Sequence, residues 1–230
     1  MKTLLDTELA YLKSELDGQL HFDDIVKTLY ATDASVYREL PTAVAFPKNK
    51  KDIQSLIKFV SKNGLSIIPR AAGTSLAGQC VGDGIVVDTK HFNQILEINA
   101  QEKWVRVQPG VVRDELNLFL KPFGLFFGPN TSTANRCMMG GMVGNNSSGS
   151  TSIEYGTTRD HVLEMAVILS DGSEAVFNAK SSNDFHKKQS GTSLESKLYQ
   201  NIQNELSNPL VAREIDISFP KKAVTRRNTG

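Results

Sequence analysis

The stretch 43–68 constrains this chain most. Ala43-Val44-Ala45-Phe46 reads as a short strand that stops at Pro47. Asn49 can cap a helix that places Ile53, Leu56, Ile57 and Val60 on one face, and Gly64 can close it. Leu65-Ser66-Ile67-Ile68 is the next strand. A strand, a helix and a strand joined this tightly put the two strands parallel.

The flanks follow other periods. Leu5, Leu9, Leu12 and Leu16 recur on one helical face that Gly18 can end, and a second helix starts at Asp23 with Val26, Leu29 and Tyr30. Residues 1–40 therefore read as an N-terminal helical extension. From Gly84 to Pro109 the pattern is strand after strand: 85–87, 94–98 and 104–107. Val112, Leu116 and Phe119 mark a helix, and Leu125-Phe126-Phe127 a further strand. Residues 128–160 are loop-rich. Leu163, Met165, Val167 and Leu169 share a sheet face, and Asp171-Gly172 is a two-residue hairpin turn into a strand from Glu174 to Phe177. Residues 178–191 are polar and expected to be mobile. Thr192 and Glu195 form a capping-box pattern before a helix carrying Leu194, Leu198 and Ile202. The last residues, 221–230, carry four basic side chains, Lys221, Lys222, Arg226 and Arg227, and no core; they read as a solvated tail at the end of a fragment.

Composition narrows the function classes. The chain has 230 residues, 40% hydrophobic and 22% charged, enough to bury a core. A net charge of +1 argues against a general polyanion binder, so no nucleic acid is expected as partner. The apolar runs are far too short to span a bilayer, and the acidic start lacks a signal region. Cys80 and Cys137 lie far apart with no CxxC pair, which excludes a cysteine metal cluster and fits buried thiols in a reducing compartment. None of His21, His91, His161 and His186 pairs with a second ligand at metal spacing, so no metal site is expected. His161 and Cys137 read as structural. Arg70 fits a phosphate, a substrate carboxylate or a structural salt bridge equally well.

Two segments carry the chemistry. The first, Pro69-Arg70-Ala71-Ala72-Gly73-Thr74-Ser75-Leu76-Ala77-Gly78-Gln79, follows a strand directly. Its small residues let backbone approach a ligand, Gly73 can take positive φ, and successive N–H groups in such a turn form an anion nest. Taken alone, it fits an ordinary turn as well as a phosphate site. It is neither a P-loop nor the GxGxxG fingerprint. The second comprises Gly128-Pro129-Asn130-Thr131-Ser132-Thr133 and Gly140-Gly141-Met142-Val143-Gly144-Asn145-Asn146-Ser147-Ser148-Gly149. Met138, Met139, Met142 and Val143 want burial, which argues against a disordered linker. Two such loops suit one extended phosphorylated ligand, and they are expected to face each other across a cleft.

Six stretches, PRAAGTSLAGQ (69–79), VQPGV (107–111), FGPNTST (127–133), GGMVGNNSSG (140–149), YGTTRDHV (155–162) and LSDG (169–172), together resemble the FAD-binding domain of the vanillyl-alcohol-oxidase and p-cresol-methylhydroxylase superfamily. The nearest branch is similar to bacterial glycolate-oxidase-subunit, D-lactate and D-2-hydroxyglutarate dehydrogenases. The resemblance covers roughly residues 40–178. It implies an α+β fold of the PCMH type in two subdomains, a small βαβ parallel sheet at about 41–83 and a larger, mainly antiparallel sheet with flanking helices at about 84–230, C-terminally incomplete. FAD would lie between them. The family's first loop maps its pyrophosphate contacts onto Ala71, Ala72, Gly73, Thr74 and Ser75. The second maps onto Pro129, Ser132, Gly140, Gly141, Gly144, Asn145 and Gly149. Members with covalent FAD carry His where Thr74 stands, so the resemblance implies non-covalent FAD here.

The implied function is the FAD-binding portion of an oxidoreductase acting on CH–OH donors, with a D-2-hydroxy acid giving hydride to flavin N5. No catalytic acid, base or metal ligand is expected in these residues; a C-terminal substrate domain or an electron-transfer subunit would supply them. Alternatives are a non-catalytic flavin-binding subunit, or a same-superfamily flavoenzyme for another alcohol or sugar. A cytoplasmic location is expected, with peripheral contact to the inner membrane as the alternative. The chain alone is expected to fold, to bind FAD weakly or not at all, and to turn over no hydroxy acid.

Overall fold

The computed structural model describes residues 4–221, 223 and 224; the basic tail residues Lys222, Arg226 and Arg227 lie outside them. Helix α1 (Leu4–Glu15) leads to strand β1 (Gln19–His21) and helix α2 (Asp24–Tyr30). Asp23 caps α2 by accepting from the Val26 N–H at 3.1 Å. The opening segment is thus not purely helical. β1 pairs antiparallel with β2 (Ala43–Phe46), in register Leu20 to Ala45. Gly18 does not end α1, which stops at Glu15. It lets the chain run against β2 instead, because a Cβ there would collide with the Phe46 carbonyl oxygen.

Helix α3 (Lys50–Asn63) begins at its Asn49 cap and closes on Gly64 at φ 64, as its residue types demand. Leu65 still belongs to that closing turn, its N–H donating to Val60 O, so β3 (Ile67–Arg70) starts two residues later than the apolar run suggests. β2 and β3 are parallel but not neighbours. β4 (Ile85–Asp88) lies between them, parallel to both, in the order β1-β2-β4-β3. The expected division near residue 83 had put β4 in the antiparallel part; its continuous Ile-Val-Val run instead suits a central parallel strand buried on both faces. Pro69 is tolerated because β3 is an edge.

Leu9, Leu12, Leu16 and Leu20 meet Leu56, Val60, Ile85 and Val87 in one core, while Val44, Phe46 and Val86 face Val26, Tyr30 and Ile68 in another. The N-terminal segment therefore covers the sheet rather than trailing from it. Buried Asp52 ties the two together, accepting from the backbone N–H groups of Asp17, Gly18 and Lys48 at 2.8 to 3.0 Å.

β5 (Ile95–Asn99) and β6 (Trp104–Val107) form an antiparallel pair. Helix α4 (Arg113–Leu120) packs Leu116 and Leu120 against its apolar side together with Cys137, Met139 and Met142. Residues 125–127 form no strand. The Asn117 side chain takes both backbone groups of Phe127, accepting from its N–H at 2.7 Å and donating to its carbonyl at 3.2 Å. Helices α5 (Met139–Gly144) and α6 (Ser152–Tyr155) interrupt the glycine-rich region.

β7 (Glu164–Ile168) and β8 (Glu174–Asn178) form a second antiparallel pair. Their connection is a three-residue loop, not two: Leu169 N–H reaches Ser173 O, Gly172 N–H reaches Leu169 O, and Gly172 sits at φ 82. The polar stretch 178–191 holds helix α7 (Ser182–Gln189), capped by Ser181. α8 (Leu194–Leu206) is capped by Ser193, one residue later than expected, because Glu195 turns away to pair with Lys188 at 2.7 Å. α9 (Pro209–Ser218), capped by Asn208, was not apparent in the sequence pattern.

Candidate functional site

The two glycine-rich loops meet across one cleft of about 1420 Å³. The first leaves the end of β3. It stays short of neighbours because its residues are small: Ala71, Ala72, Gly73, Thr74 and Ser75 all line the cleft and are all half-buried. The second supplies Ser132, Gly140, Gly141, Gly144, Asn145 and Gly149 to the same cleft. Contact between the loops is direct. Gln79 Nε2 donates to Asn145 Oδ1 at 3.2 Å, and a Cβ built on Gly141 would lie 3.1 Å from the Ala71 methyl. Pro129 is the exception. It is buried behind the wall, its carbonyl accepting from Arg113 Nε at 3.2 Å, so its place is structural support and it does not line the cleft.

The donors in the first loop fit an anion. No acceptor among the described residues takes the backbone N–H groups of 71–75. Five successive residues on a cleft wall whose amides have no acceptor among the described residues suit an anion nest. Ser75 Oγ is already used, accepting from the Ala77 N–H and donating to Gln79 Oε1. Ionisable side chains on the cleft are sparse, with Arg70, Arg136 and Asp33 among them. Gly73 holds φ 65, and a Cβ on it would sit 2.5 Å from the Arg70 guanidinium, so the position needs glycine for two separate reasons.

The glycines of the second loop divide by role. Gly149 is buried and runs so close to the backbone of Asn130 that a Cβ would clash with its carbonyl. Gly140 is pressed on Pro109, where a Cβ would lie 2.6 Å from the ring. Gly144 is exposed on the cleft, and a Cβ there would meet nothing within 4 Å. The turn 157–161 props this loop from below. Thr158 donates through Oγ1 to Ser147 O at 2.7 Å, and Arg159 N–H donates to Asn146 Oδ1 at 2.9 Å. Asp160 accepts from the Thr157 N–H, and that bond holds its carboxyl below the usual range.

Sequence reasoning missed one wall. Leu29, Thr32, Asp33 and Ala34 also line the cleft, and they come from the segment read as a helical extension. A short polar loop between two better-defined elements gives no periodic signal. Asp33 feels opposing influences: burial raises its pKa, but hydrogen bonds from Ser35 outweigh this and hold it below the usual range. Burial pushes the neighbouring Cys80 thiol up, with Arg70 opposing. That makes Cys80 a poor nucleophile at neutral pH.

Arg70 makes no salt bridge among the described residues. Its Nη1 donates to Thr32 O at 2.8 Å and to Tyr30 O at 3.4 Å, and the guanidinium lies 4.9 Å over the Tyr30 ring. Tyr30 donates in turn to Asp88 at 2.7 Å, and burial together with that carboxylate pushes its phenol up. His161 bonds the Tyr155 carbonyl at 2.7 Å and stacks edge-on to Phe127, a structural role. Cys137 is buried against Thr131 and Met142. Among the described residues no group of three His, Cys, Asp or Glu could hold a metal ion, and no helix is long and apolar enough to cross a membrane.

Comparison with known proteins follows the same lines. The family described as "FAD binding domain" matches residues 41–178. A D-2-hydroxyglutarate dehydrogenase of Pseudomonas putida is 46% identical over 167 residues, which is 71% of this chain and 17% of that protein. Glycolate oxidase subunit GlcD of Bacillus subtilis is 35% identical over 163 residues, 69% of this chain and 35% of that protein. Among solved structures, Physcomitrella patens BBE-like 1 superposes with a TM-score of 0.66 at 22% identity for its D396N variant, covering 77% of this chain and 39% of that one. The superposition shows the α+β fold. The chain thus spans well under half the length of each of these relatives.

Proposed function

This chain belongs to the FAD-binding domain family, and from that premise we propose that it is the cofactor-holding portion of a flavin-dependent dehydrogenase oxidising a D-2-hydroxy acid. The cofactor is FAD. The observation that supports its placement is the row of N–H groups at 71–75 with no acceptor among the described residues, across the cleft from Gly141 and Gly144. A diphosphate accepts from several amides at once, and each hydrogen bond to a charged group contributes about 1.5–3 kcal/mol. In this reading Ala71, Ala72, Gly73, Thr74 and Ser75 hold the pyrophosphate. Ser132, Gly140, Gly141, Gly144, Asn145 and Gly149 form the facing wall, and Pro129 supports it from behind. FAD is held without a covalent bond, since Thr74 offers no imidazole.

When bound, FAD supplies a two-electron acceptor for the hydride of the substrate's α-carbon. The chain's own residues bind and orient it. In this reading the base for the hydroxyl proton comes from a further domain or a partner subunit. The D-2-hydroxy acid class rests on the resemblance to D-2-hydroxyglutarate dehydrogenases at 46% identity, supported by the glycolate oxidase subunit. A cytoplasmic location is supported by two unpaired cysteines.

The test loads FAD onto a protein of the relatives' length that contains this chain, and onto the chain alone. D-2-hydroxyglutarate, D-lactate and glycolate are then added in turn without oxygen. Loss of the oxidised-flavin band is expected in the longer protein with at least one acid and in the chain with none. Bleaching in the chain alone would place a base within these residues; no bleaching in either would end the hydroxy-acid reading.

A further inference from the structure

We infer that the segment 30–34, which precedes the region matched by the FAD-binding family, is a strap that positions the first glycine-rich loop, with Arg70 as the positioning residue between them. This rests on the FAD reading of the cleft. The observations come from both sides of the junction. Arg70 opens the loop at the end of β3, and its guanidinium donates to the carbonyls of Thr32 and Tyr30 while lying 4.9 Å over the Tyr30 ring. On the loop's other arm, the Gly73 carbonyl accepts from the Ala34 N–H at 3.2 Å. The strap therefore grips the loop at both ends of the four-residue turn 70–73. The amides of 71–75, between and just beyond these two grips, have no acceptor among the described residues.

The strap is itself anchored. Tyr30 OH donates to Asp88 at the end of the central strand β4, and Glu39 N–H bonds Ala31 O, closing the loop below it. Thr32 and Arg38 form an antiparallel bridge across that loop. Gly73 lacks the Cβ that would crowd the guanidinium where it now lies. An arginine used this way spends its charge on neutral carbonyls. It leaves the pyrophosphate to the amides and fixes where those amides point.

The test uses the whole 230-residue chain with Arg70→Met and Arg70→Lys. Three quantities are read: amide hydrogen exchange, FAD affinity by fluorescence titration, and the melting midpoint. In Arg70→Met the Ala34 amide is expected to exchange at least about tenfold faster, the change that goes with losing one charge-assisted hydrogen bond. FAD affinity falls by a similar factor, while the amides of β2 and β4 and the melting midpoint hold. Arg70→Lys recovers part of both effects, since an ammonium reaches one carbonyl but cannot stack as a plane. Unchanged Ala34 exchange would overturn the strap. So would faster exchange throughout β2 and β4, which would mark a merely structural arginine, or a loosened Ala34 with FAD affinity intact. If the unaltered chain binds no FAD, affinity is read in a protein of the relatives' length that contains it, where no binding ends the cofactor reading; the Ala34 measurement still decides whether the strap exists.

Discussion

At the scale of single residues, small size and backbone freedom matter more here than charge. Gly73 combines a left-handed backbone with a close approach to a guanidinium, and Gly149 runs against a neighbouring carbonyl. One charged side chain nevertheless has a support role that titrates. Asp160 accepts from the backbone N–H and hydroxyl of Thr157, closing the turn whose Thr158 props the second loop. Its carboxyl is held below the ordinary value, so its stabilising effect is present above the unfolded value of about 4 and is lost as pH falls through the folded value. Asp160→Asn is therefore expected to lower the melting midpoint at pH 7, with the gap narrowing as pH falls below about 4. Melting curves across pH 3 to 7 check this; a constant gap at every pH would mean the carboxylate is not the stabilising group.

At the scale of elements, Asp52 shows how the sheet and its N-terminal cover become one body. Its carboxylate takes three backbone N–H groups from two segments, and the side chain is 2% exposed. Asp52→Ala strands all three donors. At about 1–3 kcal/mol for each buried group left unsatisfied, a loss of roughly 3 kcal/mol or more is expected. Urea unfolding measures it, and a loss under about 1 kcal/mol would show that water replaces the carboxylate readily.

The same scale shows what the sequence could reveal. The unit β2-α3 was legible because each of its signals is local: a run of four apolar residues, an Asn cap, a one-sided helix and a closing glycine. The position of β4 was not, since a Val-rich strand carries no mark of which partner it will choose. Strand 125–127 failed because Asn117, ten residues away, satisfies its backbone in place of a sheet neighbour. β1 escaped notice because three residues, Gln-Leu-His, are too few to show alternation. In the cleft, the glycine-rich loops could be read from composition, whereas the wall from 29–34 and the withdrawal of Pro129 depend on tertiary packing.

At the scale of the molecule, the cleft lies between a mixed sheet with helices on both faces and a part built from antiparallel pairs. One ligand that touches both would hold them together. The central claim is that this cleft holds FAD through its amides, and Gly144 tests it with least disturbance, because it lines the cleft and an added side chain there meets no protein atom at the first carbon. The direct measurement is an FAD titration of the 230-residue chain and its Gly144→Val form by flavin fluorescence, with melting midpoints of both. The account predicts saturable one-to-one binding in the micromolar range or weaker, at least about tenfold weaker in Gly144→Val, with equal melting midpoints in the absence of FAD. Equal affinity in the two proteins would contradict it, as would no saturation in a protein of the relatives' length that contains this chain.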